Sequence, residues 1–398
     1  MADTKPAETC ITGIGIVSCL GEGVAAHWQK LEAARLGAPS ADYAPYLVHP
    51  LVTLDFDKQI PKKGDQRQME AWQRIGTYAA GLALDSAGAK GKAELLSDMD
   101  MIVAAGGGER DLAVDTAIMA GIPKAEKPAV FVNERLMNDL RPTLFLAQLS
   151  NLMAGNISIV HGVIGSSRTF MGEESAGVDA VRIAMSRIAA GQSRIALVGG
   201  AYNAERWDIV QHLVMGGVLR HGEPTGVWER AGDGGGMELG TIGAFLVLEE
   251  RRHAEARGAK PFARISAVHS DRTRRRPGEV AQALDRMWGK VAPLLKSGEA
   301  AVISGATGIE PATAEERDFL ARHGLPIRAT GTHLGQALEP QFPINVALAA
   351  AALDHGRLFP PCDHSGFERP MEGPLSQAVV TSVGLWRGEA LALVEAAR

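Results

Sequence analysis

SSRTFMGEESAGVDAVRIAMSRIAAGQSRIALVGGA, residues 166–201, carries a short strand, a tight turn, a helix and a second strand in direct succession. Val178, Val181, Met185 and Ile188 recur at helical spacing and form one apolar face, with Arg182, Ser186 and Arg187 off it. Gly191 is a good helix stop. SRIALVGGA (193–201) then reads as a continuous apolar run, the pattern of a strand buried on both faces. A turn of this kind presents one side chain at a helix N-terminus. Here that residue is Glu174, preceded by Glu173. Acidic residues suit a first helical turn, because its free N–H groups and the helix dipole stabilise negative charge. From pattern alone, an acidic cap without chemistry is the favoured reading.

The same alternation extends in both directions. Apolar runs stand at 10–21, 99–108, 167–172, 193–201 and 241–250. A second series follows at 262–270, 301–308, 326–335, 377–388 and 389–396, with helical patterns between many of the runs. This is an α/β chain. The matching order of strand, Gly-rich turn, helix and strand predicts two related halves, 1–250 and 251–398. The charged, proline-ending stretch RRHAEARGAKP (251–261) joins them. An irregular stretch, 36–64, is expected to cover one end of the sheet.

The 398 residues are 46% hydrophobic and 22% charged, enough for a large core. A net charge of −5 does not point to nucleic acid. Cys10, Cys19 and Cys362 form neither a disulfide framework nor a metal cluster and suit a reducing cytoplasm. No apolar run approaches the roughly 18–20 residues that span a bilayer. MADTKPAETC lacks a basic start followed by an apolar stretch, so no signal peptide is expected. The expected location is the cytoplasm.

Several long segments, in order, give the chain a resemblance. They are ITGIGIVSCLGEGVAAHW (11–28), FDKQIPKKGDQRQMEAWQRIGTYAAGLALDSAG (56–88), NLMAGNISIVHGVIGSS (151–167), GVDAVRIAMSRIAAGQSRIALVGGA (177–201) and GAFLVLEERRHAEARGAKPFARI (243–265). Together they resemble the β-ketoacyl-ACP synthases, condensing enzymes of fatty acid synthesis. The resemblance implies a thiolase-like fold, layered α-β-α-β-α. In that family a cysteine at the elbow takes up an acyl chain as a thioester, helped by the helix N-terminus. That position falls on Glu174. The first histidine position falls on Gly305 in SGATGIE (304–310). The lysine and second histidine positions fall on Gly331 and Gln336 in GTHLGQ (331–336). The closing glycine-rich gate matches VGLWRG (383–388), where Trp386 and Arg387 replace glycines, and the Gly-Glu-Gly segment becomes LGTIG (239–243). No cofactor or metal is implied.

The framework is thus retained while the cysteine, lysine and both histidines are gone. A carboxylate attacking a thioester would give a mixed anhydride, a poor resting intermediate. Removing one preorganised donor typically costs about 10²–10³ in rate. Gly305 offers no side-chain donor, and Gln336 is neither acid nor base near neutral pH. Two non-condensing variants of the family commonly carry glutamine at the cysteine position. One is a decarboxylating loading domain that keeps its histidines. The other is the chain-length factor, a partner subunit that shapes the acyl tunnel of an active synthase. Loss of both histidines points to the second, with Glu174 a structural plug. The rivals are an active acyltransferase using His333, His364 or Glu174, and an acyl-binding protein.

The resemblance also implies a dimer built through the strand near Ser167–Gly172, with an identical chain or with an intact ketosynthase. The 56–88 segment points to very-long-chain fatty acid synthesis for lipid A. Acyl carrier protein is the implied further partner. Its candidate docking residues are Arg274, Arg275 and Arg276 in RTRRRPGE (272–279), with Lys62, Lys63 and Arg67 a second basic group. A solvated loop is the competing reading of both.

Overall fold

Ten strands fall on the ten apolar runs. In this computed structural model, which describes residues 6–397, the first five are β1 (Thr9–Ser18), β2 (Asp100–Ala104), β3 (Ser167–Phe170), β4 (Ile195–Tyr202) and β5 (Ile242–Glu250). The second five are β6 (Ala263–Asp271), β7 (Ala300–Ser304), β8 (Ile327–Ala329), β9 (Gln377–Val383) and β10 (Glu389–Ala396). They lie in the order β8-β7-β9-β10-β6-β1-β5-β4-β2-β3.

Read outward from the centre, the two series repeat one another. β1 pairs antiparallel with β5, β5 antiparallel with β4, and β4, β2 and β3 run parallel. β6 pairs antiparallel with β10, β10 antiparallel with β9, and β9, β7 and β8 run parallel. The halves touch through a short antiparallel seam, Thr9, Cys10 and Ile11 against Ile265, Arg264 and Ala263.

Side chains alternate along the strands and fill three separate cores. Ile102, Val198 and Leu246 face inward, as do Ile303, Val380 and Ala392 in the other half. Between them lie two helices, each following the outermost parallel strand of its half. In the first half, α1 (Ala71–Ser86) and α2 (Leu152–His161) are outer, and α3 (Glu173–Ala189) is inner. In the second half, α4 (Glu279–Val291) and α5 (Ala312–His323) are outer, and α6 (Gln341–Asp354) is inner. α1 and α2 cover Met101, Val103, Leu197 and Phe245. α4 and α5 cover Val302, Val379, Leu391 and Leu393. The result is the expected α-β-α-β-α stack.

Sequence explains the central layer. α6 reads QFPINVALAAAAL, apolar or small on every side, and Gln341–Leu353 are all buried. Small residues also let α1 lie directly on β1. A Cβ at Gly15 would come within 2.0 Å of the Ala79 carbonyl oxygen. The segment 36–64 is largely irregular, with one two-residue strand, Val48–His49, that pairs with Leu239–Gly240. The stretch 251–261 opens with a short helix, Arg251–Ala256. Among the described residues no helix is long and apolar enough to cross a membrane.

Candidate active site

The elbow is made by backbone conformation. Gly172 and Glu173 both have positive φ, 133° and 51°, and swing the chain from β3 into α3. Residue 174 thereby enters the first helical turn pointing into the core, and Glu174 is 2% exposed. Its Oε1 accepts the Leu385 N–H at 3.1 Å. Its Oε2 has no partner, and a Cβ at Gly384 would lie 3.1 Å from it. A donor thus comes from the gate at VGLWRG, beside the amide of Glu174 itself at the helix N-terminus. Burial pushes the Glu174 carboxyl up to about 7, with Glu173 adding, while its own amide, that of Leu385 and Arg275 pull it back.

The other three altered positions converge on Ala306. Gln336, completely buried, donates through Nε2 to the Ala306 carbonyl at 2.8 Å, and its Oε1 is unpartnered. A Cβ at Gly331 would meet that same Nε2 at 2.8 Å. The glutamine therefore fills the volume beside a missing lysine. Gly305 sits against β9, where a Cβ would approach the Thr381 carbonyl to 2.8 Å and Asn345 Nδ2 to 3.1 Å. Its N–H donates to Thr381 Oγ1 at 3.2 Å. Behind it the buried Glu316 accepts from Ser304 at 2.8 Å and Thr381 at 2.5 Å. From the other side the fully buried Arg230 donates to the carbonyls of Gly331 and Thr307, each at 3.2 Å, and pairs with Glu238 at 3.1 Å. Gly305, Gly331 and Gln336 thus form one group. Glu174 bonds the gate instead, and β9 with its following turn touches both places.

The alternative nucleophiles and bases lie elsewhere. Burial raises the thiols of Cys10 and Cys362 to about 11 and that of Cys19 to about 12, so none is a thiolate near neutral pH. His333 is buried, with Nδ1 on the Arg35 carbonyl at 2.9 Å, and burial depresses it to about 4. His364 is exposed. Among the described residues no group of three or more His, Cys, Asp or Glu could hold a metal ion.

The basic stretch needs a correction. Arg274 and Arg276 are exposed, but Arg275 turns inward, away from any docking surface. It donates to the Gly384 carbonyl and pairs with Glu389 at 2.6 Å. Lys62 and Lys63 are exposed, and Lys63 pairs with Asp57.

One residue escaped the sequence reading. Glu339, three positions after Gln336, is 5% exposed, and a Cβ at Gly106 would lie 2.9 Å from its Oε1. Burial raises it to about 7, and Glu174 and Glu173 add to the rise. Its Oε2 and the Tyr202 hydroxyl are both buried without partners. A charged residue inside the apolar run HLGQALEP was the available signal. The four altered positions therefore hold one buried carboxyl, at Glu174, one amide, at Gln336, and no side chain at Gly305 and Gly331, with Glu339 a second buried carboxyl.

Residues 7–254 match the family model "Beta-ketoacyl synthase, N-terminal domain". The chain is 26% identical over 271 residues to 3-oxoacyl-[acyl-carrier-protein] synthase 2 of Vibrio cholerae, a match covering 64% of this chain and 61% of that protein's length. It is also 26% identical over 407 residues to the actinorhodin polyketide putative beta-ketoacyl synthase 2 of Streptomyces coelicolor, covering 95% of each. Among solved structures, the ishigamide ketosynthase/chain length factor superposes with a TM-score of 0.80 at 18% identity, over 99% of this chain and 100% of the other. With the elbow, the two repeated half-sheets and the family match over more than half its length, this chain belongs to the β-ketoacyl synthase family.

Proposed function

We propose that the chain is a non-condensing partner subunit, which pairs with an intact ketosynthase and helps to shape that enzyme's acyl tunnel. The observation that carries this reading is steric as well as chemical. At Gly305 a Cβ alone would press on the Thr381 carbonyl at 2.8 Å, so that position has no room for an imidazole as packed, and at Gly331 the 2.8 Å neighbour is the end of the Gln336 side chain that now fills the space. Glu174 is sealed beneath the gate, 2% exposed and bonded to the Leu385 N–H.

The open edge of the sheet supports a protein partner. β3 is the terminal strand, and unpaired edges need a cover. Ile159 on α2, Ile164 before β3 and Met171 after it are 72%, 65% and 63% exposed. The pathway, very-long-chain fatty acid synthesis for lipid A, rests on the 56–88 segment and extends this proposal. Acyl carrier protein is the further proposed partner, with Arg274, Arg276, Lys62 and Lys63 as its contact candidates.

The test is affinity purification of the full chain from its native cells, with recovered chains identified by mass spectrometry and the complex assayed. Recovery of a ketosynthase in equal amount is expected. The purified chain by itself should neither decarboxylate malonyl-ACP nor condense acyl-ACP, and Glu174→Cys should not confer condensation. Recovery of homodimer alone, or condensation by Glu174→Cys, would overturn the reading.

A further inference from the structure

The segment Val383–Gly388 leaves β9 and returns into β10 through a tight loop, closed by the Gly384 N–H donating to the Gly388 carbonyl at 2.8 Å. Trp386 and Arg387 are exposed, while Val383 and Leu385 are buried. Two ionisable side chains from distant parts of the sequence reach the backbone on either side of the Gly384–Leu385 peptide. Glu174 comes from the first turn of α3 and accepts the Leu385 N–H at 3.1 Å. Arg275 comes from the segment after β6 and donates to the Gly384 carbonyl.

The arginine is itself built into position. Its φ is +59°, a conformation that non-glycine residues rarely hold without external support. Glu279 accepts the N–H groups on either side of it, from Arg274 at 2.8 Å and from Arg276 at 3.3 Å. Glu389 pairs with the guanidinium at 2.6 Å and takes the Thr273 N–H and hydroxyl at 3.0 and 2.9 Å. Burying a charged group against backbone groups is costly unless it is paired and hydrogen-bonded; here Nη2 bonds the Gly384 carbonyl and Nη1 lies in ion-pair contact with Glu389, while Nε has no partner.

The geometry points to a latch. The Glu174 carboxyl and the Arg275 guanidinium pin the Val383–Gly388 loop over the elbow and close it to a carrier-borne thioester. Arg275 is a positioning residue in this scheme, and the carboxyl at the nucleophile position fastens the gate that stands above it. This deepens the partner-subunit reading and rests on it for its meaning. It is nevertheless measured on the isolated chain, so failure of the latch and failure to recover a ketosynthase are separate results.

The experiment is hydrogen exchange of the full-length chain, read in peptides covering Gly384–Gly388 and compared with β1 as an internal control. Arg275→Met and Glu174→Ala should each speed exchange of the loop by about tenfold relative to β1, since each removes one charge-assisted or buried hydrogen bond. Glu174→Gln, which keeps an acceptor oxygen, should leave the loop slow. Arg275→Lys keeps a cation for Glu389 but lacks the forked donor, and guards against a Met variant that fails to fold. It should also speed the loop. Loop exchange at the wild-type rate, relative to β1, in both Arg275→Lys and Glu174→Ala would overturn the latch.

Discussion

Glu174 is held in a place where ionisation is costly, and this makes stability depend on pH in a definite direction. Its folded-state pKa, about 7, lies above its ordinary value of 4.5. Its contribution to stability is therefore full below about 4.5 and is lost as pH rises through about 7. Glu174→Gln cannot ionise. Urea unfolding at a series of pH values should show the variant and wild type within about 1 kcal/mol of each other at pH 5. The variant should become more stable by up to about 3 kcal/mol at pH 8. A difference that does not change with pH would refute the burial argument. The comparison must be between variant and wild type, because buried His27, His161 and His333 are depressed to about 4 and act in the opposite sense over an overlapping range. At this scale the sequence was informative where chemistry is local. Glu174 could be placed because elbow and helix are adjacent in the chain. The inward turn of Arg275 could not, since its partners Gly384 and Glu389 lie more than a hundred residues away.

Strands and helices were far more legible than side-chain directions. Both faces of most strands are buried, so they stand out as apolar runs bounded by glycine, and each of the ten runs contains a strand of the sheet. The two-residue strands Val48–His49 and Leu239–Gly240 carry too few residues for any periodicity. Where an element packs against backbone, its sequence is constrained more tightly than hydropathy reveals. The end of β7 lies against β9 at Gly305. Gly305→His should lower stability by roughly 1–3 kcal/mol through overpacking against Thr381 and Asn345, with a matching fall in the thermal midpoint. An unchanged midpoint would mean that the loop yields to admit the imidazole, and the steric part of the functional reading would then fail.

At the scale of the whole molecule, the two half-sheets repeat one order and one set of strand directions while their outer surfaces differ. Two related halves were readable from the succession of runs. The three-residue seam between β1 and β6 was not, because it depends on pairing between segments 250 residues apart. The terminal strand β3 is the place where the assembly can be tested. Ile164→Asp with Met171→Asp changes exposed side chains only, so the thermal midpoint of the isolated chain should hold. Recovery of a ketosynthase in affinity purification should drop about tenfold or more, since buried interface charges without partners are strongly unfavourable. Undiminished recovery would move the partner surface elsewhere.

The repeat also ties two residues to each other. Glu174 lies in the first turn of the inner helix of one half, and Glu339 stands two residues before that of the other, with its backbone carbonyl so near α3 that a Cβ at Gly177 would lie 2.3 Å from it. A thiol introduced at 174 would lie within electrostatic reach of this second acid, as Glu174 does, and a negative charge there would raise the thiol's pKa and oppose formation of a thiolate. The order in which changes are reversed therefore matters: neutralising residue 339 first makes a later cysteine at 174 more reactive than the same cysteine introduced alone.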